Sequence, residues 1–321
     1  MPADPEPFVP AWWCRGAHAQ TIASALRLVP EVPTLRRERW ETRDGDFLGV
    51  DVVPAEVGRP ILVMLHGLEG SSRSPQIRGF LHAAHRRRWR AIAPNFRSCS
   101  GEPNRLRRSY HAGETSDLRW VMRRLAERHP GDPMCCVGIS LGGNVLLKYL
   151  GESRDAPSSL RAAAALSTPF DLAMSARAFE RGALNRFYMR RLLRSLLRKT
   201  RAKLACYPDL VDARRLAAVQ TIREFDEVVT APTHGFASAQ AYWTASSCRQ
   251  FLPSIQHPTL LINALDDPLI PAAALPHEEV RRNSHLTGVF PASGGHAGFL
   301  SADAAHPVWS EQAVFRFFES I

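Results

Sequence analysis

Long apolar runs, phosphate-binding glycine motifs and metal-ligand spacings are all absent from this 321-residue sequence. No stretch approaches the ~18 apolar residues that a membrane-spanning helix requires. Neither GxGxxG after the first strand nor GxxxxGK[ST] occurs, which leaves no phosphate cradle for a dinucleotide or nucleotide. Without HExxH or paired Cys/His spacing we expect no metal and no other cofactor. No helix-turn-helix, zinc-finger or RNA-binding signature accompanies the arginines, so we expect no nucleic-acid partner.

Paired cysteines are also missing, and the sequence leads us to expect no secretory leader. The six cysteines follow no CxxC or knuckle spacing, and the adjacent Cys135 and Cys136 lie in an apolar run typical of a buried strand. Residues 1–14 have an acidic start and no basic segment leading into an apolar one. We therefore expect a cytoplasmic protein with reduced cysteines.

Apolar strand patterns alternate with helical patterns over most of the chain. A hydrophobic content of 45% and a charged content of 22% exclude global disorder. Asp44-Gly45 joins two early strands as a hairpin, and the later alternation is typical of a mostly parallel sheet flanked by helices, an α/β fold. The predicted strands are 35–42, 47–53, 60–65, 90–94, 134–139, 162–167, 259–263 and a short one near 289–290; the predicted helices are 76–88, 115–128, 142–150 and about 308–319.

One interval breaks this alternation. Residues 169–258 read as helices only, between two sheet strands, with arginine crowded into the first half. We interpret residues 1–168 and 259–321 as two parts of one core, and 169–258 as an inserted helical lid over the strand ends. A separate helical domain is the alternative.

The pentapeptide Gly138-Ile139-Ser140-Leu141-Gly142 fits the GxSxG pattern of a nucleophile elbow. It lies between a strongly apolar strand and a predicted helix, the setting in which a sharp turn exposes a nucleophilic serine. The helix N-terminus adds partial positive charge where negative charge develops. We therefore predict that Ser140 is a nucleophile.

A serine nucleophile needs a base, and the base needs an orienting acid. In chain order the acid should follow the serine and precede the histidine. Asp267, held extended by Pro268, follows a predicted strand, with Asp266 as the alternative acid; one of the two could cap the next helix. His296 lies on a glycine-rich loop after the last short strand, and we predict it to be the base.

The same chemistry requires amide donors for a tetrahedral oxyanion. We assign the backbone N–H groups of Leu68, in the loop after strand 60–65, and Leu141 to this oxyanion hole. His66 precedes the serine in the chain, so we expect it to shape the loop rather than act as the base. Acidic residues of the inserted segment, including Asp226, are expected on helix surfaces.

These residues together resemble the α/β-hydrolase superfamily, and specifically the YheT-like branch of predicted hydrolases. The resemblance covers nearly the whole chain. One departure is Ser98, where the pattern leads us to expect glycine. Besides the elbow and the Asp-Asp-Pro element, it rests on the segments 8–13, 18–21, 66–71, 95–97, 99–104, 110–115, 117 and 223–226.

The resemblance implies an α/β-hydrolase fold with Ser140, Asp267 and His296 as charge-relay residues. It also implies hydrolysis of carboxylic esters, with eukaryotic relatives acting on acyl lipids. We therefore expect a serine carboxylesterase that forms an acyl-enzyme on Ser140 and accepts a small-molecule or lipid-like ester. The alternatives are an acyltransferase with the same triad and a non-catalytic binding protein on a hydrolase scaffold.

The formal net charge of +10 is concentrated in one segment. Residues 177–203 hold ten cations and one acid, and the rest of the chain is nearly neutral. Apolar residues recur there at helical spacing, with Arg190, Arg194 and Arg198 on another face. Two interpretations stay open: a cationic lid that contacts an anionic membrane or acidic headgroups, or a helix packed on the core with a solvated arginine face.

Overall fold

A computed structural model describes residues 6–32, 34–152, 155–303 and 306–321. Residues 1–5, 33, 153–154 and 304–305, which belong to the two predicted core segments, lie outside the described residues. An eight-stranded sheet forms the centre of the molecule, in the order β1-β2-β4-β3-β5-β6-β7-β8. Its strands are β1 (Arg36–Glu41), β2 (Phe47–Val53), β3 (Ile61–Leu65), β4 (Arg90–Pro94), β5 (Met134–Ile139), β6 (Leu160–Leu166), β7 (Thr259–Ile262) and β8 (Leu286–Val289).

The first two strands form the predicted hairpin, and β2 is also antiparallel to β4. All later neighbours are parallel, so β3 and β5 run side by side, with Leu65 opposite Gly138 at their carboxyl ends. Every residue of β3, β5 and β7 is buried, as expected for parallel strands covered on both faces. The carboxyl ends of these strands therefore meet at one edge of the sheet.

Helices cover both faces of the sheet. Two large apolar clusters lie on either side, one containing Leu146 and the other Phe315. Among the described residues, no helix is both long and apolar enough to cross a membrane. The core helices are α1 (Ala17–Leu26), α2 (Pro75–Arg86), α3 (Ser116–Arg128), α4 (Leu141–Glu152), α11 (His277–Arg282) and α12 (Trp309–Glu319).

Residues 169–258, all described, contain helical elements and no strand. The longest is α6, which begins at Ala183 and ends at Cys206, and its inner side contributes to an apolar cluster of its own through Met189 and Leu193. The α-helices of this segment are α5 (Leu172–Phe179), α6 (Ala183–Cys206), α7 (Ala213–Ala218), α8 (Ile222–Phe225), α9 (Ala231–Thr233) and α10 (Ala239–Ser246), with a π-helical turn at Asp226–Thr230 and a 3-10 helix at Cys248–Ser254.

Ser98 has a φ of +63°, in the left-handed region that favours glycine. The resemblance led to the expectation of glycine at this position, and the backbone supplies the physical reason. Its amide donates to the side-chain oxygen of Asn104, and the backbone amide of Asn104 donates to the Ser98 hydroxyl at 3.2 Å. These reciprocal bonds hold the turn despite the side chain.

Candidate active site

Ser140 is the single residue between the end of β5 and the start of α4. Its φ of +54° is left-handed, which is strained for a residue other than glycine. A Cβ atom at Gly138 would lie 2.4 Å from the carbonyl oxygen of Gly142, and one at Gly142 would lie 2.5 Å from that of Leu65. Both glycines of the pentapeptide are thus required by close backbone approach, and the turn they permit presents the Ser140 hydroxyl at the sheet edge.

The structure brings Ser140, His296 and Asp267 together. Ser140 Oγ lies 3.0 Å from His296 Nε2, and His296 Nδ1 lies 2.8 Å from Asp267 Oδ2. The Asp267 side chain is fully buried, whereas 15% of the His296 side chain is exposed. Because a carboxylate only accepts hydrogen bonds, it favours the tautomer with the proton on Nδ1 and leaves Nε2 free to accept from the serine hydroxyl.

The two adjacent aspartates have different partners. Asp267 Oδ1 accepts from the amides of Leu269, at 2.8 Å, and Ile270, at 3.1 Å, which fixes the carboxylate with Oδ2 toward the imidazole. Asp266 Oδ1 instead accepts from the amide of Gly295, at 2.8 Å, in the histidine loop. Burial raises the pKa of the Asp266 carboxyl. The geometry therefore separates two residues that the sequence left as alternatives.

Helix α1 supports the histidine loop, and pattern reasoning did not predict this helix. The amide of His296 donates to Thr21 Oγ1 at 2.9 Å. Gln20 is fully buried; its side chain donates to the Leu300 carbonyl oxygen at 3.1 Å and accepts from the Leu300 amide at 2.7 Å. Ser24 Oγ donates to the carbonyl oxygen of Ala297 at 2.7 Å. The only sequence signal for this region was the His-Ala-Gln-Thr stretch of the resemblance. In the structure, this stretch holds the histidine loop by hydrogen bonds.

Two candidate oxyanion donors flank the serine. Leu68 and Leu141 both line the cavity that contains Ser140, and within the described chain neither amide donates to a protein acceptor. His66 stands apart from this function, since its Nδ1–H donates to the carbonyl oxygen of Gly67 at 2.8 Å and its Nε2 accepts from the Phe96 amide at 3.0 Å. Burial lowers the pKa of His66 to about 4, so the ring is neutral at pH 7 and braces the loop.

A cavity of about 610 Å³ opens above Ser140. Residues of the inserted helical segment and of α1 line this cavity together with residues at the sheet edge. This volume is in the range of sites that hold drug-sized ligands. Its lining is mainly apolar, with side chains including Leu172, Phe179, Tyr188, Leu196, Ile222 and Leu269.

One lining residue corrects a prediction from the sequence. Asp226 was expected on a helix surface, but it is buried in the π-helical turn and borders the cavity. Its carboxylate accepts from Thr230 Oγ1 at 2.7 Å and from Trp243 Nε1 at 2.8 Å. Burial raises the pKa of Asp226 to about 6. The error arises because the helical elements around Asp226 are too short for sequence periodicity to identify a solvent-facing side.

In the described part of the chain, no group of three or more His, Cys, Asp or Glu side chains could hold a metal ion. The site itself presents a serine hydroxyl, an imidazole, a carboxylate and backbone amides. These can supply a nucleophile, a proton acceptor, its orienting group and hydrogen bonds to an anionic oxygen.

Comparison with known proteins agrees with this architecture. The alpha/beta hydrolase fold family matches residues 60–303. The chain is 38% identical to the "Putative esterase YheT" of Escherichia coli K12, over 96% of this chain and 91% of that protein. It is 29% identical to the "Phospholipase ABHD3" of Mus musculus, over 98% of this chain and 77% of that protein.

Solved structures share the fold at low sequence identity. The esterase Pf2001 of Pyrococcus furiosus superposes with a TM-score of 0.61 at 16% identity, covering 91% of this chain and 95% of that one. The family match spans the elbow serine, both aspartates and the histidine loop, and the relatives align over nearly the full chain. The protein belongs to the alpha/beta hydrolase fold family and is YheT-like.

Proposed function

We propose that this protein hydrolyses carboxylic esters through an acyl-enzyme on Ser140. The observation that carries the proposal is the continuous relay from Ser140 Oγ to His296 Nε2, at 3.0 Å, and from His296 Nδ1 to Asp267, at 2.8 Å. The relay starts at a strained elbow and opens into an apolar cavity. The esterase and phospholipase names of the relatives agree with ester chemistry.

In the first half-reaction, His296 Nε2 takes the proton of Ser140 as Oγ attacks the ester carbonyl carbon. The electron pair of the carbonyl moves to oxygen, and the amides of Leu68 and Leu141 donate hydrogen bonds to that oxyanion. Asp267 stabilises the imidazolium and keeps its orientation. When the tetrahedral intermediate collapses, His296 returns the proton to the departing alkoxide, and an alcohol leaves.

In the second half-reaction, water attacks the acyl carbon and gives a proton to His296 Nε2. The intermediate collapses by breaking the bond to Oγ, and the imidazolium returns the proton to Ser140. A carboxylic acid is released and the enzyme is regenerated. The tautomer that Asp267 imposes on His296 serves both halves, because Nε2 is the accepting nitrogen each time.

The cavity favours an ester with an extended apolar part. Its walls are mainly aliphatic and aromatic, and burial of each methylene of an acyl chain contributes about 0.8 kcal/mol. Acetyl esters leave most of this volume unfilled. We therefore expect kcat/KM to rise with acyl length over a p-nitrophenyl ester series until the chain fills the cavity.

The mouth of the cavity is suited to an anionic lipid surface. Leu26 of α1 and Phe187 of α6 border it and are 68% and 60% exposed. The two helices meet where His18 Nδ1 lies 3.1 Å from the Tyr188 hydroxyl. An exposed apolar rim beside a cationic helix is the pattern of proteins that bind membrane interfaces.

The charges of α6 are available for such contact. In the described part of the chain, its six arginines form no ion pair with an acidic side chain, although arginines elsewhere do. We propose that this face makes peripheral contact with anionic membranes, where each basic residue near the surface contributes about 1 kcal/mol. The arginines are Arg186, Arg190, Arg191, Arg194, Arg198 and Arg201, all exposed.

The catalytic proposal is tested by labelling with a fluorophosphonate and by turnover of the p-nitrophenyl series, with Ser140→Ala as the inactive variant. We expect labelling and turnover in the wild type and neither in the variant. Absence of both from a folded wild type at every chain length would refute the nucleophile. Added alcohol or lysolipid acceptors identify acyl transfer, which would give new esters in place of free acid.

Vesicle co-sedimentation tests the membrane contact independently. Phosphatidylcholine vesicles containing phosphatidylglycerol should pellet the protein at low salt, and 0.5 M salt should release it. Phe187→Ser should weaken binding, whereas Val57→Ser removes a 92% exposed apolar residue outside the rim and should not. Equal pelleting with neutral vesicles, or equal effects of the two variants, would contradict a cationic docking face.

A further inference from the structure

All three lysines of this arginine-rich chain are engaged with acceptors. Lys148 pairs with Glu152, four residues further along α4, and Lys199 and Lys203 lie one turn apart on α6. The two lid lysines have inward contacts: Lys203 Nζ donates to the carbonyl oxygens of residues 106–108 and Lys199 Nζ to Glu69. A compact ammonium can end in a narrow pocket where a forked guanidinium does not fit. Lysine thus occurs where α6 is fastened to the core.

Lys199 reaches the residue that follows the candidate oxyanion donor. Its Nζ lies 2.9 Å from Glu69 Oε1 and 3.1 Å from Cys99 Sγ. Glu69 is next to Leu68 in the chain, and only 3% of its side chain is exposed. A direct ion pair therefore joins the lid helix to the loop that carries the Leu68 amide.

The Glu69 backbone is held by the same cluster. Its φ is +54°, a left-handed conformation for a non-glycine residue. The Glu69 amide donates to the Tyr110 hydroxyl at 2.9 Å, and that hydroxyl donates back to Glu69 Oε1 at 2.8 Å. The carboxylate thus fastens its own strained backbone through Tyr110, and Lys199 bonds to the same oxygen.

Charge makes this contact necessary. Burial raises the pKa of the Cys99 thiol to about 11, so the thiol is neutral at pH 7 and Glu69 supplies the negative charge that faces Lys199. Glu69 Oε2 is buried and has no hydrogen-bond partner in the described structure. Without the ammonium, the buried Glu69 carboxylate would be left uncompensated. It would then be more stable in water, which it reaches if the 66–70 loop moves outward.

We propose that Lys199 is a positioning residue: by holding Glu69 against Tyr110 it fixes the Leu68 amide, so that the oxyanion hole depends on this one contact from α6. The inference rests on the proposed hydrolase function. It explains why Glu69, Cys99 and Tyr110, which belong to three separate stretches of the resemblance, converge on one lid residue. The lid then contributes to the chemical step as well as to substrate binding.

The test uses the full chain and a short, soluble ester whose binding needs little of the lid. Lys199→Met should lower kcat about tenfold with KM changed less than twofold, a fraction of the ~10²–10³ lost when an oxyanion donor is removed. Lys203→Met removes the neighbouring anchor, which does not contact the 66–70 loop, and should retain kcat within twofold. Equal loss of kcat in both variants would show that lid attachment in general matters, and would overturn the proposal.

A double variant separates positioning from stability. Lys199→Met with Glu69→Leu removes both charges, so its melting temperature should recover relative to either single variant. Because nothing then holds the loop to α6, kcat should stay as low as in Lys199→Met. Recovery of kcat together with stability would assign the pair a purely structural role.

Hydrogen exchange supplies a readout that does not depend on turnover. Amides of residues 66–72 should exchange faster in Lys199→Met than in the wild type, and at the wild-type rate in Lys203→Met. If the folded wild type lacks esterase activity, the proposed function fails while exchange still decides the coupling. Unchanged exchange in Lys199→Met would overturn the positioning role.

Discussion

Replacing Asp267 by asparagine should inactivate the site with little change in its shape. Oδ1 of Asp267 accepts from two backbone amides, Leu269 and Ile270, so the carbonyl oxygen of an asparagine must take this place. The NH₂ group of the asparagine then faces His296 Nδ1, which in the wild type lies 2.8 Å from Asp267 Oδ2. Two donors cannot share that contact, so the imidazole must move its proton to Nε2.

An imidazole with its proton on Nε2 cannot accept the proton of Ser140. The corresponding change in serine proteases lowers kcat by about 10⁴, a value taken from that system. At 1.36 kcal/mol for each factor of ten, the expected loss is about 5.5 kcal/mol of transition-state stabilisation. The free energy of unfolding should fall by less than about 2 kcal/mol, because the amide partners and the packing remain.

Asp266→Asn provides the matched control. Asp266 accepts from the Gly295 amide through one oxygen, and an asparagine keeps that acceptor, so kcat should change less than tenfold. Both variants are compared with the wild type by p-nitrophenyl butyrate turnover, fluorophosphonate labelling rate and urea unfolding. A loss of about 10⁴ in Asp266→Asn with an active Asp267→Asn would transfer the orienting role to Asp266 and refute the reasoning from geometry.

Three further predictions concern stability and positioning. The Arg97 side chain is 1% exposed and pairs with three aspartates. Arg97→Met should lower the free energy of unfolding by about 3–5 kcal/mol, because the carboxylates are left uncompensated. Urea unfolding measures this change, and a loss under 1 kcal/mol would contradict the prediction. Thr21→Val removes the acceptor for the His296 amide and should lower kcat roughly tenfold. The melting temperature should shift by no more than a few degrees. An unchanged kcat would show that other contacts fix the histidine loop. The pKa of Asp226 is about 6 in the folded state and ~3.9 in the unfolded state, so the native state binds more protons between these values. The free energy of unfolding should therefore fall as the pH rises from about 4 to about 6. Asp226→Asn should abolish that part of the pH dependence in unfolding curves taken across this range.

Local patterns predicted the elements that position the site. The strand before the elbow was predicted at 134–139 and is observed as β5 over Met134–Ile139. A run buried on both faces and a GxSxG turn are signals carried by consecutive residues, so no distant contact is needed to read them. Helix ends were less accurate: α4 begins at Leu141, one residue before the predicted start, because helix boundaries depend on capping and packing.

Helix α1 and the burial of Asp226 needed the folded chain. Helix α1 begins after Gly16 without a side-chain cap, and its buried positions include Gln20 and Ser24, which are polar. Apolar periodicity cannot reveal a helix whose inner face consists of hydrogen-bonding groups for a loop about 280 residues away. The assignment of 169–258 as a lid stays a prediction, although the segment is helical throughout and borders the cavity.

The sequence by itself determined the fold class, the order of serine, aspartates and histidine, and the concentration of charge in 177–203, because each is a property of residue type and spacing. Only the tertiary structure shows that Asp267 faces the imidazole, whereas Asp266 faces the amide of the histidine loop. It also placed Lys199 of α6 against Glu69 of the loop after β3, 130 positions away. Contacts of that separation depend on how the inserted helices pack against the rest of the chain, and no local pattern encodes them.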